Sequence, residues 1–262
     1  VIDFNLPLTD MYLEKPLVFA HRGASHDAPA NTLTAFRTAR QMGADGIELD
    51  TSLTADGVPI VLHDLSVDET TNGSGRVRDM MLHQLKRLDA GSYFDFAFRG
   101  ERIPTLEESF EAIGAEMVVN VELKATGLRS IGLEAAVLAV IRRANASNRV
   151  IISSFNPFAL RRFYQIAPNI PLGFLYAPDV PAYLRLVMIG VPHQARHPQH
   201  TMINANYMAW ARRHHYRVNT WTVDDPLRMT ALRDLGVDGI ITNRPDVLLK
   251  VLGRSNAHTR AL

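Results

Sequence analysis

The chain has 262 residues, 47% hydrophobic and 21% charged, with 16 Gly and 14 Pro; this length supports a substantial core, and this composition excludes a disordered, collagen-like or coiled-coil chain. Lys and Arg number 28 against 27 Asp and Glu, a net charge of +1 with no block of like charges, so nucleic acid is not an expected partner. The absence of Cys removes thiolate nucleophiles, disulfides and thiolate-bound metals, and leaves oxygen and imidazole to hold any ion.

The first fifteen residues carry Asp3, Asp10 and Glu14 rather than a basic flank and an apolar centre, and no apolar run reaches the ~18 residues of a membrane span. A soluble, cytoplasmic protein without stable membrane insertion is expected. A trimmed export leader stays open, because the first residue is Val. Leu17 to Ala20 reads as a buried strand that turns polar at His21-Arg22-Gly23. Asn31 is placed to cap a helix whose inner face holds Leu33, Phe36 and Ala39, with Gly43 as its left-handed stop. Gly46 to Leu53 and Val58 to His63 are the next strands, joined through the turn-forming Asp56-Gly57.

From Asp64 to Pro104 the alternation pauses. This stretch holds a turn at Thr70 to Gly75, a short helical pattern around Met81 to Leu88, and the aromatics Tyr93, Phe94, Phe96 and Phe98. It is too long for a plain loop, and a small insertion at about 65–104 is expected, with the aromatics as its miniature core. Thr105 and Glu108 then form a capping box ahead of an inner face of Leu106, Phe110 and Ile113. Strands are expected at Val118 to Leu123, Val150 to Phe155, Leu172 to Tyr176, Val218 to Val223 and Gly239 to Thr242. Helices lie between them, one with Ile131, Ala135, Leu138 and Ile141 inward and one running from Asp225-Pro226 to Gly236. Residues 178–203 carry the weakest pattern. Gly43-Ala44-Asp45-Gly46-Ile47 recurs as Gly236-Val237-Asp238-Gly239-Ile240, the same helix-to-strand joint used twice. Repeated alternation over the whole length, with no central linker and no Gly-rich dinucleotide fingerprint, predicts an α/β (β/α)8 TIM barrel occupying residues 1–262 as one domain.

In such a barrel the strand ends converge on the site. Glu48 and Asp50, at i and i+2, share one face of their strand, and so do Glu122 and Lys124. If that face is the interior, two carboxylates there need a cation, and a hard divalent ion, Mg²⁺ or Ca²⁺, suits oxygen ligands. His21 and His63 end two strands and suit proton transfer in opposite directions across a phosphodiester; Arg22 and Lys124 suit its phosphate. Asn31 and Trp221 are carried as substrate-side candidates, against plainer readings as a helix cap and a core residue. His193, His197 and His200, and His214-His215, lack a carboxylate in register and are expected to be solvated or structural.

These residues stand in strings that resemble the glycerophosphodiester phosphodiesterase family. The strings are Phe19-Ala20-His21-Arg22-Gly23, Asn31-Thr32-Leu33-Thr34-Ala35-Phe36, Gly46-Ile47-Glu48-Leu49-Asp50, Asp56 to Asp64, Arg102 to Leu106, Asn120-Val121-Glu122-Leu123-Lys124, Ser153-Ser154-Phe155, Trp221-Thr222-Val223 and Gly236 to Pro245, in the family's order from about residue 17 to 250. The resemblance implies a barrel with a small insertion after His63 and a divalent cation on Glu48, Asp50 and Glu122. It also implies His21 and His63 as the acid–base pair, with Arg22 and Lys124 on the phosphate. A small-molecule glycerophosphodiester would be hydrolysed to glycerol 3-phosphate and an alcohol. Ala30 stands where the family usually has Glu. The alternatives are a lysophospholipase-D-like or phosphoinositide phosphodiesterase on the same barrel, and a barrel that binds a phosphorylated ligand without turnover.

Overall fold

The computed structural model describes residues 11–12, 16–179 and 187–254, so the leader reading of the first fifteen residues lies almost wholly outside the described residues. Eight parallel strands close on themselves: β1 (Leu17–His21), β2 (Gly46–Leu53), β4 (Val118–Leu123), β5 (Val150–Ser154), β6 (Leu172–Tyr176), β7 (Ala195–Pro198), β8 (Arg217–Thr220) and β9 (Gly239–Thr242). Each pairs with the next around the ring, and β1 completes it by pairing with both β9 and β2. The expected (β/α)8 barrel is therefore the architecture present. β3 (Pro59–Val61) lies outside the ring, antiparallel to β2, because the tight turn at Asp56-Gly57 returns the chain as a hairpin.

Helices cover the outside: α1 (Leu33–Met42), α3 (Leu106–Ile113), α4 (Leu133–Arg143), α5 (Pro157–Ile166), α6 (Ala205–Arg213), α7 (Pro226–Leu235) and α8 (Pro245–Val251), with the one-turn α2 (Leu82–Leu85) in the segment that follows β3. Their apolar stripes meet Val18, Ala20, Ile47, Leu49, Val119, Val121 and Ile152 from the outward face of the strands. The alternate residues point inward. Leu17, Phe19, Val118, Ile151 and Ile241 form a separate cluster inside the barrel with Met11 and Tyr12. Strands buried on both faces explain why the runs read as apolar without strict alternation. None of the described helices is long and apolar enough to cross a membrane.

The repeated joint has a physical basis. Asp45 and Asp238 each accept from the backbone N–H of a neighbouring strand, Val18 at 2.7 Å and Val218 at 2.9 Å. The glycines that follow flank the Phe19 ring: a Cβ on Gly46 would lie 2.7 Å from it, and one on Gly239 would lie 3.0 Å away. Both joints therefore anchor a strand start and leave room for one large side chain in the barrel floor.

Three expectations are corrected, and one strand is added. The N-cap of α1 is Thr32, whose side chain accepts from Ala35 N–H, and not Asn31. In α4 the inward face holds Leu133, Glu134, Val137, Leu138, Val140 and Ile141, while Ile131 and Ala135 are exposed; a buried Glu134 paired with Arg162 at 2.7 Å displaced the apolar register. Tyr93, Phe94 and Phe96 are exposed. The core of their segment is instead Ile60, Leu62, Val67, Val77, Leu85, Ala90 and Ile103, aliphatic residues scattered too widely to show a period. Finally, β7 arises in the stretch with the weakest pattern, since Ala-Arg-His-Pro carries no apolar alternation.

Candidate active site

The inward register of β2 and β4 assembles the centre. Glu48 pairs with Asn120 across the ladder and Asp50 with Glu122, so alternation on two adjacent strands turns three carboxylates to the barrel interior within reach of one another. Glu48, Asp50 and Glu122 are all buried, and one oxygen from each lies within 4.8 Å of the others. This trio consists of hard oxygen donors only, the set that Mg²⁺ and Ca²⁺ take, so the residues present fit a divalent ion.

Their electrostatics carry the same message. Burial, and then the neighbouring Asp50 charge, push Glu122 up to about 7. Burial and the Asp50 and Glu122 charges also raise Glu48 well above the usual carboxylate range. Burial opposes the charge on Asp50 too, but Lys124, Arg22, His63 and the Asn31 hydrogen bond together outweigh it and hold that carboxyl below its ordinary value. Three carboxylates competing for two cationic side chains leave the cluster short of positive charge.

The loop after β1 supplies the cations' framework. Arg22 and Asn31 both adopt left-handed backbone conformations, φ 57° and 60°, and Asn31 N–H donates to Arg22 C=O at 2.9 Å. Such conformations in non-Gly residues persist where surrounding contacts impose them. Here those contacts face the cluster. Arg22 Nε lies 3.1 Å from Asp50 Oδ2, and the Asn31 amide donates to the same oxygen at 2.9 Å while its Oδ1 accepts from Asp50 N–H at 3.4 Å. Between them, Gly23 (φ 85°) has no room for a Cβ, which would lie 2.7 Å from the Ala35 backbone. From the other side, Lys124 Nζ sits 3.0 Å from Glu122 Oε1 and 3.5 Å from Asp50 Oδ1.

A cavity of about 170 Å³ opens above the trio, lined by His21, Arg22, Glu48, His63, Asn120, Glu122, Lys124 and Trp221 among others. His21 Nδ1 is 2.6 Å from Asn243 Oδ1, and Asn243 in turn donates from Nδ2 to Asp224 Oδ2. Burial, and then the Arg22 charge, lower His21 to about 4. His63 Nδ1 is 2.8 Å from Asp64 Oδ1. Burial lowers His63 as well, with Arg22 and Lys124 adding to that effect and Asp50 and Asp64 opposing it. The Trp221 indole donates to His197 C=O at 2.7 Å, and its ring meets Phe155 edge-on at 5.4 Å. Ala30 N–H donates to the Tyr93 hydroxyl at 3.1 Å, tying the loop to the segment after β3.

Eight of the nine candidate residues thus line the cavity or form its acidic wall, and Asn31 reaches it through Asp50. Sequence reading missed Asn243 and Asp224, which orient His21, and it gave no role to Asp64, although the adjacent His63-Asp64 pair was visible. His193 and His197 are buried, in keeping with the structural reading.

The family model described as the Glycerophosphoryl diester phosphodiesterase family matches residues 21–247. The chain is 42% identical over 241 residues to a glycerophosphodiester phosphodiesterase of Caldanaerobacter subterraneus, covering 91% of this chain and 98% of that protein. It is 33% identical to a glycerophosphodiester phosphodiesterase of Bacillus subtilis, over 91% of this chain and 87% of that one. Among solved structures, it resembles an Oleispira antarctica phosphodiesterase in complex with the product sn-glycerol-3-phosphate, with TM-score 0.84, 29% identity and coverage of 91% and 97%.

Proposed function

The chain belongs to the glycerophosphoryl diester phosphodiesterase family, and from that premise we propose that it hydrolyses small glycerophosphodiesters to glycerol 3-phosphate and an alcohol, with His21 and His63 as its acid–base pair. The observation that carries this reading is the meeting of two imidazoles, a guanidinium and an ammonium over a buried Glu48-Asp50-Glu122 trio in one cavity. When bound to the trio, a divalent ion, Mg²⁺ or Ca²⁺, supplies positive charge to the phosphodiester oxygens. Arg22 and Lys124, drawn inward by Asp50 and Glu122, bind the phosphate and oppose the charge that grows in the transition state. Asn31 acts through Asp50, whose carboxylate it orients; Trp221 walls the cavity beside the substrate.

The partners of the two histidines support a division of labour. Asn243 Oδ1 accepts a hydrogen bond, so the His21 proton sits on Nδ1 and Nε2 keeps its lone pair. A pKa of about 4 leaves that lone pair available near neutral pH. His21 is therefore the base that takes the proton of the attacking hydroxyl, from water or from the substrate's own glycerol. His63 is backed by the Asp64 carboxylate, which steadies the imidazolium that gives its proton to the leaving alcohol. The test is release of glycerol 3-phosphate from glycerophosphocholine with Mg²⁺ or Ca²⁺ added. Turnover by the wild type that is lost on chelation supports the reading, and the absence of product with either ion overturns it.

A further inference from the structure

Next to the catalytic cavity lies a second groove of about 400 Å³, which shares Glu122, Lys124 and Phe155 with it and extends outward past Leu65, Leu128 and Phe158. Its wall is the loop from Ala125 to Leu128, and the carbonyls of Ala125, Gly127 and Leu128 already have donors. The Asn156 amide donates to Ala125 C=O at 3.1 Å and to Gly127 C=O at 2.8 Å, and Arg162 donates to Leu128 C=O at 2.6 Å. Ser154 Oγ, also at the wall, donates to Leu123 C=O at 2.9 Å. These bonds fix the wall of the groove as a formed feature and occupy those acceptors. What faces the space is largely carbon, including Leu65 and Leu128, which are 48% and 69% exposed.

One end of the groove is therefore ionic and continuous with the phosphate-binding cavity, and the other is apolar and open. Glycerol, hydroxylated on every carbon not bound to phosphate, would lose hydrogen bonds with water there and gain few. Resting on the proposed phosphodiesterase reading, we propose that the groove is a subsite for the leaving alcohol and selects glycerophosphodiesters whose alcohol carries an uncharged, apolar chain. The glycerol half then lies on the polar flank formed by His21 and Arg22.

The experiment is a series of glycerophosphoalkanols, from the methyl to the hexyl ester, assayed on the wild type and on the Leu65→Ser/Leu128→Ser variant. Full burial of a methylene is worth about fourfold in binding, and an open groove about half of that factor. The expected result is a kcat/KM rising about twofold per methylene in the wild type, flattening in the variant, while the methyl ester is turned over equally by both. Both substituted side chains are exposed, so folding should survive, and equal melting temperatures would verify it. A flat wild-type series, or a slope that persists in the variant, would overturn the subsite and leave the phosphodiesterase reading standing. No turnover of any ester would overturn both.

Discussion

Asn243 Oδ1 lies 2.6 Å from His21 Nδ1, across 222 residues of sequence. The contact joins the end of the last barrel strand to the end of the first and sets which imidazole nitrogen faces the cavity. Asp224 fixes the other end of that amide, accepting from Asn243 Nδ2 and from the Asn243 backbone N–H at 2.8 Å. The His21 ring, the base of the proposed mechanism, is thus oriented by a residue outside the cavity lining.

Replacing that amide should alter chemistry more than binding. Asn243→Ala is expected to lower kcat by about tenfold or more with little change in KM, because the His21 ring loses its orientation while the phosphate-binding groups stay. Asn243→Asp places a carboxylate beside His21, which favours the imidazolium and should move the acidic limb of the pH–rate profile upward. Steady-state kinetics across pH would check both, and an unchanged limb in Asn243→Asp would count against His21 as the base.

The two histidines are expected to be separately indispensable. His21→Ala and His63→Ala should each reduce kcat by about 100-fold to 10,000-fold with the fold intact by circular dichroism. Near-normal turnover in either would remove that residue from the mechanism.

The barrel floor offers a stability test away from the chemistry. Gly46→Ala puts a methyl group 2.7 Å from both the Phe19 ring and the Val118 carbonyl. Neither neighbour is a loose chain end, so overpacking should cost about 1–3 kcal/mol in a urea titration. A neutral result would mean that the Phe19 ring relaxes freely, and the account of the repeated joint would fail.

Acid sensitivity should centre on His197. Asn219 Nδ2 lies 3.0 Å from His197 Nε2, a bond that requires an unprotonated acceptor, and burial holds this histidine down to about 3. The unfolded chain, with an ordinary histidine near 6.5, takes up the proton first. Stability is therefore full above about 6.5 and falls as pH drops from there towards 3. Between about pH 7.5 and pH 5 the wild type should lose on the order of 2 kcal/mol more than His197→Gln. Equal losses would contradict the assignment. His193, lowered to about 4 by burial and then by Arg196, acts in the same direction.

Much of this molecule was legible because two short periods carry it. Glu48 and Asp50 alternate with Ile47 and Leu49, and once the outer pair is covered by helices the inner pair has no other place to point. The glycine stop, the capping box at Thr105 and Glu108, and the Asp225-Pro226 start are local signals that need no tertiary knowledge. What was not legible depends on contacts distant in sequence. Asn243 belongs to no periodic pattern, and its role appears only when β9 lies beside β1. Glu134 is buried through its ion pair with Arg162, 28 residues further on, which no local pattern marks. β7 was hidden because its inward residue is His197, which fits a strand only where Gly173 on the neighbouring strand leaves space for its ring; a Cβ on that glycine would lie 2.5 Å from His197 Nε2.

The centre of the account is that Glu48, Asp50 and Glu122 together hold a divalent ion. Calorimetric titration of chelator-treated protein with Mg²⁺ and with Ca²⁺ measures this without reference to turnover. The account predicts saturable binding of a single ion by the wild type and its loss in Glu122→Gln. A wild type that binds neither ion, or a variant that binds as tightly as the wild type, would contradict it.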